Sequence, residues 1–198
     1  MAGMGSRAMV RRGNSRDPVI KIMKNHQIEM RLIQRKVCLL GEYAVGKTSM
    51  VRQFVEGRFD DRYLSTIGVK ISRKHMHWLD QPYNLIIWDL ADGDTYRDAT
   101  NYLRGAAGAV VVCDITRQQT LSAVFTYTAY LRASLPSVSI VVAVNKADLQ
   151  AQQAIDESDL RRMGSELAVP WLKTSAKTGL GVEMAFTNLV QLMESALT

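Results

Sequence analysis

Between residues 41 and 48 the chain reads Gly41-Glu42-Tyr43-Ala44-Val45-Gly46-Lys47-Thr48, two glycines spaced by a short loop and followed by a lysine and a hydroxyl. The apolar run Val37-Cys38-Leu39-Leu40 precedes it and a helical pattern from Lys47 to Val55 follows, so the loop joins a strand to a helix. A loop of this kind presents successive backbone N–H groups in one concavity, and the helix behind it adds the positive end of its dipole. That is the chemistry of phosphate binding. The loop from Gly41 through Tyr43, Ala44, Val45 and Gly46 to Ser49 cradles the phosphate oxygens, Lys47 reaches the β/γ-phosphates, and the Thr48 hydroxyl takes magnesium. The loop alone does not choose between ATP and GTP.

Asp89 closes the apolar segment Leu85-Ile86-Ile87-Trp88, where a carboxylate would reach the shell of that magnesium. A strand-end Asp can also cap the next turn; beside the phosphate loop, the metal role is the better reading. Choice of base falls to Asn145-Lys146-Ala147-Asp148, which follows the buried run Ile140–Val144. A carboxylate at Asp148 accepts from guanine N1–H and its exocyclic amine together, whereas adenine offers no such donor pair and would leave the carboxylate unsatisfied. Thr174-Ser175-Ala176-Lys177 follows a last short strand and closes the other side of the base. Each four-residue segment is weak alone; in order, each after a strand, they specify GTP or GDP with Mg2+.

The elements that must hold these residues alternate. Apolar runs at Val37–Leu40, Leu85–Trp88, Ala109–Cys113, Ile140–Val144 and Val169–Leu172 read as strands. Helical patterns fall at Lys47–Val55 and at about 119–134, 157–167 and 182–196. Val69, Ile71 and Leu79 keep a period of two, and Asp80-Gln81-Pro82 turns the chain back, giving a hairpin. The expectation is an α/β P-loop fold: a doubly wound, mostly parallel, six-stranded sheet with one antiparallel edge strand and helices on both faces.

Composition fits one domain with an appendage. The 198 residues are 47% hydrophobic and 22% charged, ample for a core. The net charge of +6 is local: residues 1–36 hold nine Lys/Arg against Asp17 and Glu29, while the remainder carries 16 basic and 17 acidic residues. The division expected is a flexible basic extension, 1–33, before a nucleotide-binding domain, 34–198. A solvated tail is the simpler reading of that charge, so no nucleic-acid partner is expected. Cys38 and Cys113 sit inside strand runs, as buried free thiols in a reducing, cytoplasmic setting would. No apolar run reaches the ~18 residues of a membrane span. His75 and His77 share a strand face without a third ligand, and Arg31, Arg35, Lys36, Arg161 and Arg162 read as solvated.

With these motifs in place, the chain resembles the Ras superfamily, and its Rab-like branch most closely, from about Gln34 onward. The segment Phe59-Asp-Asp-Arg-Tyr63-Leu-Ser-Thr66-Ile-Gly68 is similar to a Rab switch I, and Trp88-Asp89 and Arg104-Gly-Ala match the same pattern. The resemblance implies that Thr66 binds magnesium and the γ-phosphate, that Phe59 flanks the guanine, and that Tyr63 closes over the phosphates. The metal set is then Thr48, Thr66 and Asp89. It further implies effector proteins at an apolar surface of Ile71, Trp88 and Tyr102, an exchange factor and an activating protein, and action as a monomer.

Three departures qualify that resemblance. Switch II usually reads Asp-Thr-Ala-Gly-Gln-Glu and here reads Asp89-Leu90-Ala91-Asp92-Gly93-Asp94. Asp92 takes the place of a glycine whose amide meets the γ-phosphate; a carboxylate within ~5 Å of a phosphate oxygen is repelled by a few kcal/mol at an effective dielectric near 20. Gly93 stands where a glutamine orients the attacking water, and has no side chain to do so. A shifted register gives Gly93 the amide role but supplies no glutamine. The catalytic set of Lys47, Thr66 and Gly93 therefore predicts a GTPase of slow turnover, with a pseudo-GTPase scaffold locked in one nucleotide state as the alternative. Tyr43 replaces a small residue; it could obstruct an arginine finger, partly replace the glutamine, or pack under switch II. Finally, the chain closes on Glu194-Ser-Ala-Leu-Thr198 without a prenylation cysteine. Prenyl anchoring is thus not expected, membrane association would fall to the basic N-terminus or a partner, and a bacterial Rab-like protein would suit the pattern.

Overall fold

Alternation of side chains decides which residues face which layer. In β1 (Ile33–Leu40), Val37 and Leu39 point to one side of the sheet and Cys38 and Leu40 to the other, and all are buried. β4 (Gly108–Asp114) and β5 (Ser139–Asn145) repeat this with Val110, Val112, Val141 and Ala143 on the first side and Val111, Cys113, Val142 and Val144 on the second. Both faces being apolar, these strands must be covered twice. β2 (Val69–Trp78), β3 (Gln81–Leu90) and β6 (Trp171–Lys173) complete a sheet of order β2-β3-β1-β4-β5-β6. Every pair is parallel except β2 with β3. The computed structural model describes residues 31–60, 66, 68–91 and 99–196.

Helices cover the two faces. α1 (Lys47–Glu56) and α5 (Val182–Ser195) close the Val37/Leu39 side, where Phe54 and Phe186 stack with ring centroids 3.9 Å apart. α2 (Ala99–Leu103), α3 (Gln118–Ser134) and α4 (Glu157–Leu167) close the other, with Leu121, Val124, Leu131, Leu160 and Met163 buried against it. Each such side chain contributes about 1.5–3 kcal/mol when fully buried. The doubly wound sheet with one antiparallel edge strand is thus the fold obtained.

Two expectations about boundaries change. β1 starts at Ile33, four residues before its apolar run, because it pairs with β3 from Ile33↔Tyr83 onward. Arg35 and Lys36 are accordingly not merely solvated. Arg35 bonds Glu194 at 2.9 Å, and the Lys36 ammonium lies 3.8 Å from the Trp88 ring centroid while donating to Arg104 O. The hairpin turn is Leu79-Asp80 and not Asp80-Gln81-Pro82. Both turn residues have positive φ (45° and 60°), the handedness a two-residue hairpin needs to match strand twist. Pro82 stands inside β3, before the first β1 pair, so no β1 partner calls on its missing N–H there.

Candidate functional site

The β1, β3, β4 and β5 strands end at one edge of the sheet, and the site residues hang from those ends and from the end of β6. Gly41 follows β1, Asp89 is near the end of β3, Asp114 ends β4, Asn145 ends β5, and Thr174 follows β6. In an open α/β sheet the ligand crevice lies at the carboxyl edge, where connections leave toward opposite faces. Here β1 is flanked by β3 and β4, which puts the glycine loop at that divide.

The loop conformation requires its glycines. Gly41 has φ 147° and a Cβ there would lie 2.2 Å from Val112 O; at Gly46, φ is 99° and a Cβ would meet Asn145 Nδ2 at 2.3 Å. Between them Ala44 is left-handed at φ 60°, an uncommon state for a residue with a Cβ. Lys47, 6% exposed, folds over the loop and donates to Gly41 O at 2.8 Å and Glu42 O at 3.1 Å. An ammonium so buried on the loop that precedes a helix suits a polyanion.

On the α1–β3 side, the Thr48 hydroxyl lies 2.6 Å from Thr66 Oγ1 and 2.5 Å from Asp89 Oδ2. Asp89 is 1% exposed. Hydroxyl and carboxylate oxygens converging beside a phosphate loop match magnesium's preference for hard oxygen donors. Thr48, Thr66 and Asp89, expected as one set, are therefore brought together.

On the β5–β6 side, Asn145 is a hub. Its Nδ2 donates to Val45 O in the phosphate loop (2.9 Å), and its Oδ1 accepts from Ala176 N (3.0 Å) and Thr174 Oγ1 (3.3 Å). Ser175 Oγ donates to Asp148 Oδ1 at 2.5 Å, tying the carboxylate to the β6 side. Ala147 N bonds Thr174 O, and Lys146, between Asn145 and Ala147, adopts φ 64°. The two base-side segments are thus one structure tied to the phosphate loop.

Other expected residues differ in exposure. Phe59, Tyr43 and Lys177 are exposed and Ser49 is half-buried. Tyr63, Asp92, Gly93 and Asp94 lie outside the described residues, as does the extension before Arg31. Ile71 sits opposite Trp88 across the β2–β3 pair, and Trp88 lies 6.3 Å from Tyr102 between ring centroids, so that apolar trio is contiguous. Burial pushes the thiols of Cys38 and Cys113, both free, up to about 12.

Sequence reasoning missed Asp114. This carboxylate, 1% exposed, takes Lys146 Nζ at 2.7 Å and Arg117 Nε at 3.0 Å on Oδ2, with Thr116 N and Oγ1 on Oδ1. Burial opposes its charge, but the bonds from Lys146 and Thr116 outweigh it and hold the carboxyl below the usual range. An acidic residue ending a buried apolar run was the available signal, the same one that marks Asp89.

A glycine phosphate loop, an oxygen set beside it and a carboxylate-bearing base loop on this sheet define a P-loop small GTP-binding protein. A model of the Ras family matches residues 36–195, and the chain belongs to that family, on its Rab-like side. Ras-related protein Rab-22A of Mus musculus is 33% identical over 168 residues, covering 84% of this chain and 87% of that protein. The Homo sapiens Rab-22A gives the same figures. Ras-related protein Rab-1C of Dictyostelium discoideum is 33% identical over 156 residues, covering 78% of each. Members of this family bind GTP and GDP, typically with Mg2+, and meet effectors, exchange factors and activating proteins. Among the described residues no helix is long and apolar enough to cross a membrane.

Proposed function

We propose that the chain is a GTP/GDP switch whose binding chemistry is complete and whose hydrolysis of GTP to GDP and phosphate is slow. The observation that carries this reading is the convergence of Lys47, Thr48, Asp89, Asn145, Asp148 and Ser175 at one sheet edge. In it, the amides of Tyr43 to Ser49 and the Lys47 ammonium hold the phosphates. Asp148 takes the two guanine N–H groups, Ser175 and Ala176 with Lys146 and Lys177 close around the base, and Phe59 and Tyr63 flank base and phosphates. Thr48, Thr66 and Asp89 hold Mg2+, which supplies neutralisation of phosphate charge.

Slow turnover follows from Asp92-Gly93. Without a glutamine side chain, nothing in the Gly93 position orients a water for in-line attack, and the Asp92 carboxylate repels the phosphate. Tyr43, 54% exposed at the phosphate loop, keeps three readings: obstruction of an arginine finger, partial replacement of the glutamine, or packing under switch II. If hydrolysis is absent altogether, the same surface serves as a scaffold locked in one nucleotide state. In the switch reading, GTP-dependent ordering around Thr66 governs partners at Ile71, Trp88 and Tyr102. We also propose a monomer organised as a basic extension, 1–33, and a domain, 34–198, cytoplasmic and able to approach a membrane peripherally through that extension or a partner.

The test is the nucleotide retained on purification, followed by single-turnover GTP hydrolysis with and without magnesium. Guanine nucleotide with a slow, magnesium-dependent rate is expected, and Asp92→Gly with Gly93→Gln should raise it. Retention of ATP instead would overturn the guanine reading; hydrolysis no faster than in free solution would select the scaffold.

A further inference from the structure

Arg117 is a poor residue for its place. It is the N-cap of α3, in extended conformation (φ −134°, ψ 104°), with no side-chain cap bond. Short oxygen-bearing side chains are preferred at this position. A cation there opposes the helix dipole, and the first turn of α3 holds no acidic residue to offset it. The Thr120 hydroxyl instead ties this start to the end of β4, donating to Arg117 O at 2.7 Å and accepting from Asp114 N at 3.0 Å.

The Arg117 side chain is directed across the site. Nε donates to Asp114 Oδ2 at 3.0 Å and Nη2 to the main-chain oxygen of Tyr43 at 2.7 Å. The Asp114 oxygen it shares also holds Lys146 Nζ. One planar fork therefore spans from the carboxylate that secures the base-loop lysine to the middle of the phosphate loop.

The Tyr43 carbonyl is an informative atom to hold. Peptide planarity sets it antiparallel to the Ala44 N–H, so fixing one fixes the other. Ala44 is left-handed, which an L side chain disfavours, and a rotation of the 43–44 peptide unit would relieve that φ while turning the N–H away. Arg117 opposes the rotation by occupying the carbonyl.

We infer that Arg117 is a positioning residue for the phosphate loop, locking the Tyr43–Ala44 peptide so that its N–H serves the distal phosphate of a nucleoside diphosphate or triphosphate. It acts through Tyr43 and Asp114 and need not touch the ligand. The inference rests on the nucleotide-binding reading above, and it assigns Arg117 to phosphate retention as distinct from base recognition.

Competition against a fluorescent GDP separates the two. Arg117→Ala should weaken GDP about tenfold, the loss of a hydrogen bond from a charged donor, while changing GMP by less than about twofold. Arg117→Lys keeps the charge without the fork and should fall between. Ala44→Gly, added to Arg117→Ala, removes the preference for the rotated peptide and should recover part of the GDP affinity. Equal losses for GDP and GMP, or no recovery with Ala44→Gly, would overturn the inference and leave guanine binding intact. Should Arg117→Ala not fold, Arg117→Lys with and without Ala44→Gly carries the same comparison. Failure of the wild-type chain to bind GDP would sink the nucleotide reading and this inference together.

Discussion

The Thr48 hydroxyl donates to Asp89 Oδ2 at 2.5 Å, joining the first turn of α1 to the end of β3. Residues 41 positions apart meet because β1 and β3 are parallel neighbours, in register from Ile33↔Tyr83 to Leu39↔Asp89. The sheet register therefore sets the pair, with Thr48 on the helix that follows β1, and the Thr66 member of the oxygen set arrives from outside these elements.

A metal-side prediction follows from that pair. Asp89→Asn keeps the shape and the Thr48 bond but removes the charge, and metal affinity should fall by at least the roughly 10–100-fold seen when a group supporting a metal ligand is lost. The measurement is GDP release in magnesium against release in chelator. The wild type should release far faster in chelator, and the variant should release quickly in both. A variant that kept the wild-type ratio would remove Asp89 from the metal set.

Base choice should reverse at Asp148. Asparagine there keeps one carbonyl oxygen for N1–H but turns its N–H₂ toward the exocyclic amine, so one of the two hydrogen bonds becomes a contact between two donors. GDP affinity should drop by two orders of magnitude or more, on the scale of about 1.4 kcal/mol per tenfold. Xanthine carries a carbonyl where guanine has its amine, so xanthosine diphosphate should bind Asp148→Asn better than GDP does. Ser175 Oγ still has an oxygen to donate to, so the loop stays in place. Competition binding with both nucleotides reads the result; an unchanged preference for GDP would refute the assignment.

Much of the site was legible because its signals are local. Gly41 to Thr48 and Asn145 to Asp148 each fit within one loop, and their glycines and polar residues are forced by contacts those loops make. Arg117 was opaque for the opposite reason. Its partner Tyr43 lies 74 positions away, and an arginine at a helix start carries no pattern of its own. Arg35 and Lys36 misled by charge: a basic pair reads as solvent-facing, yet β1 runs through both because Glu194 and the Trp88 ring satisfy them. The turn at Leu79-Asp80 lacks the usual Asn-Gly signature, so strand periodicity was extended across it.

Asp114 should make stability pH-dependent. Its folded-state carboxyl is held below the ordinary aspartate value of about 3.9, so its contribution is present above that pH and is lost as pH falls through the lower folded value. Wild type should exceed Asp114→Asn in urea midpoint at neutral pH, and the gap should narrow progressively on acidification below about pH 4. Urea titrations from neutral pH down through that range test this. A gap of constant size would mean that the loss comes from packing and not from the charge.

Glycine replacements rank the contacts of the loop. Gly41→Ala drives a Cβ to 2.2 Å from Val112 O, an atom of the central β4 strand that cannot retreat without breaking the ladder. Gly46→Ala meets Asn145 Nδ2 at 2.3 Å, a side chain that can shift only by giving up Val45 O and disturbing Ala176 N. Gly57 ends α1 at φ 64°, and a methyl group there would find nothing within 4 Å, so only the left-handed backbone opposes alanine. Gly57→Ala should cost about 1 kcal/mol, and Gly41→Ala about 3 kcal/mol or more, since overpacking adds to the backbone term. Gly46→Ala should fall between them in stability yet lose GDP affinity out of proportion, because displacing Asn145 uncouples the phosphate loop from the base loop. Urea unfolding and GDP binding on the three variants give the ranking. Equal destabilisation by Gly57→Ala and Gly41→Ala would show that the Val112 contact is not what demands a glycine at position 41.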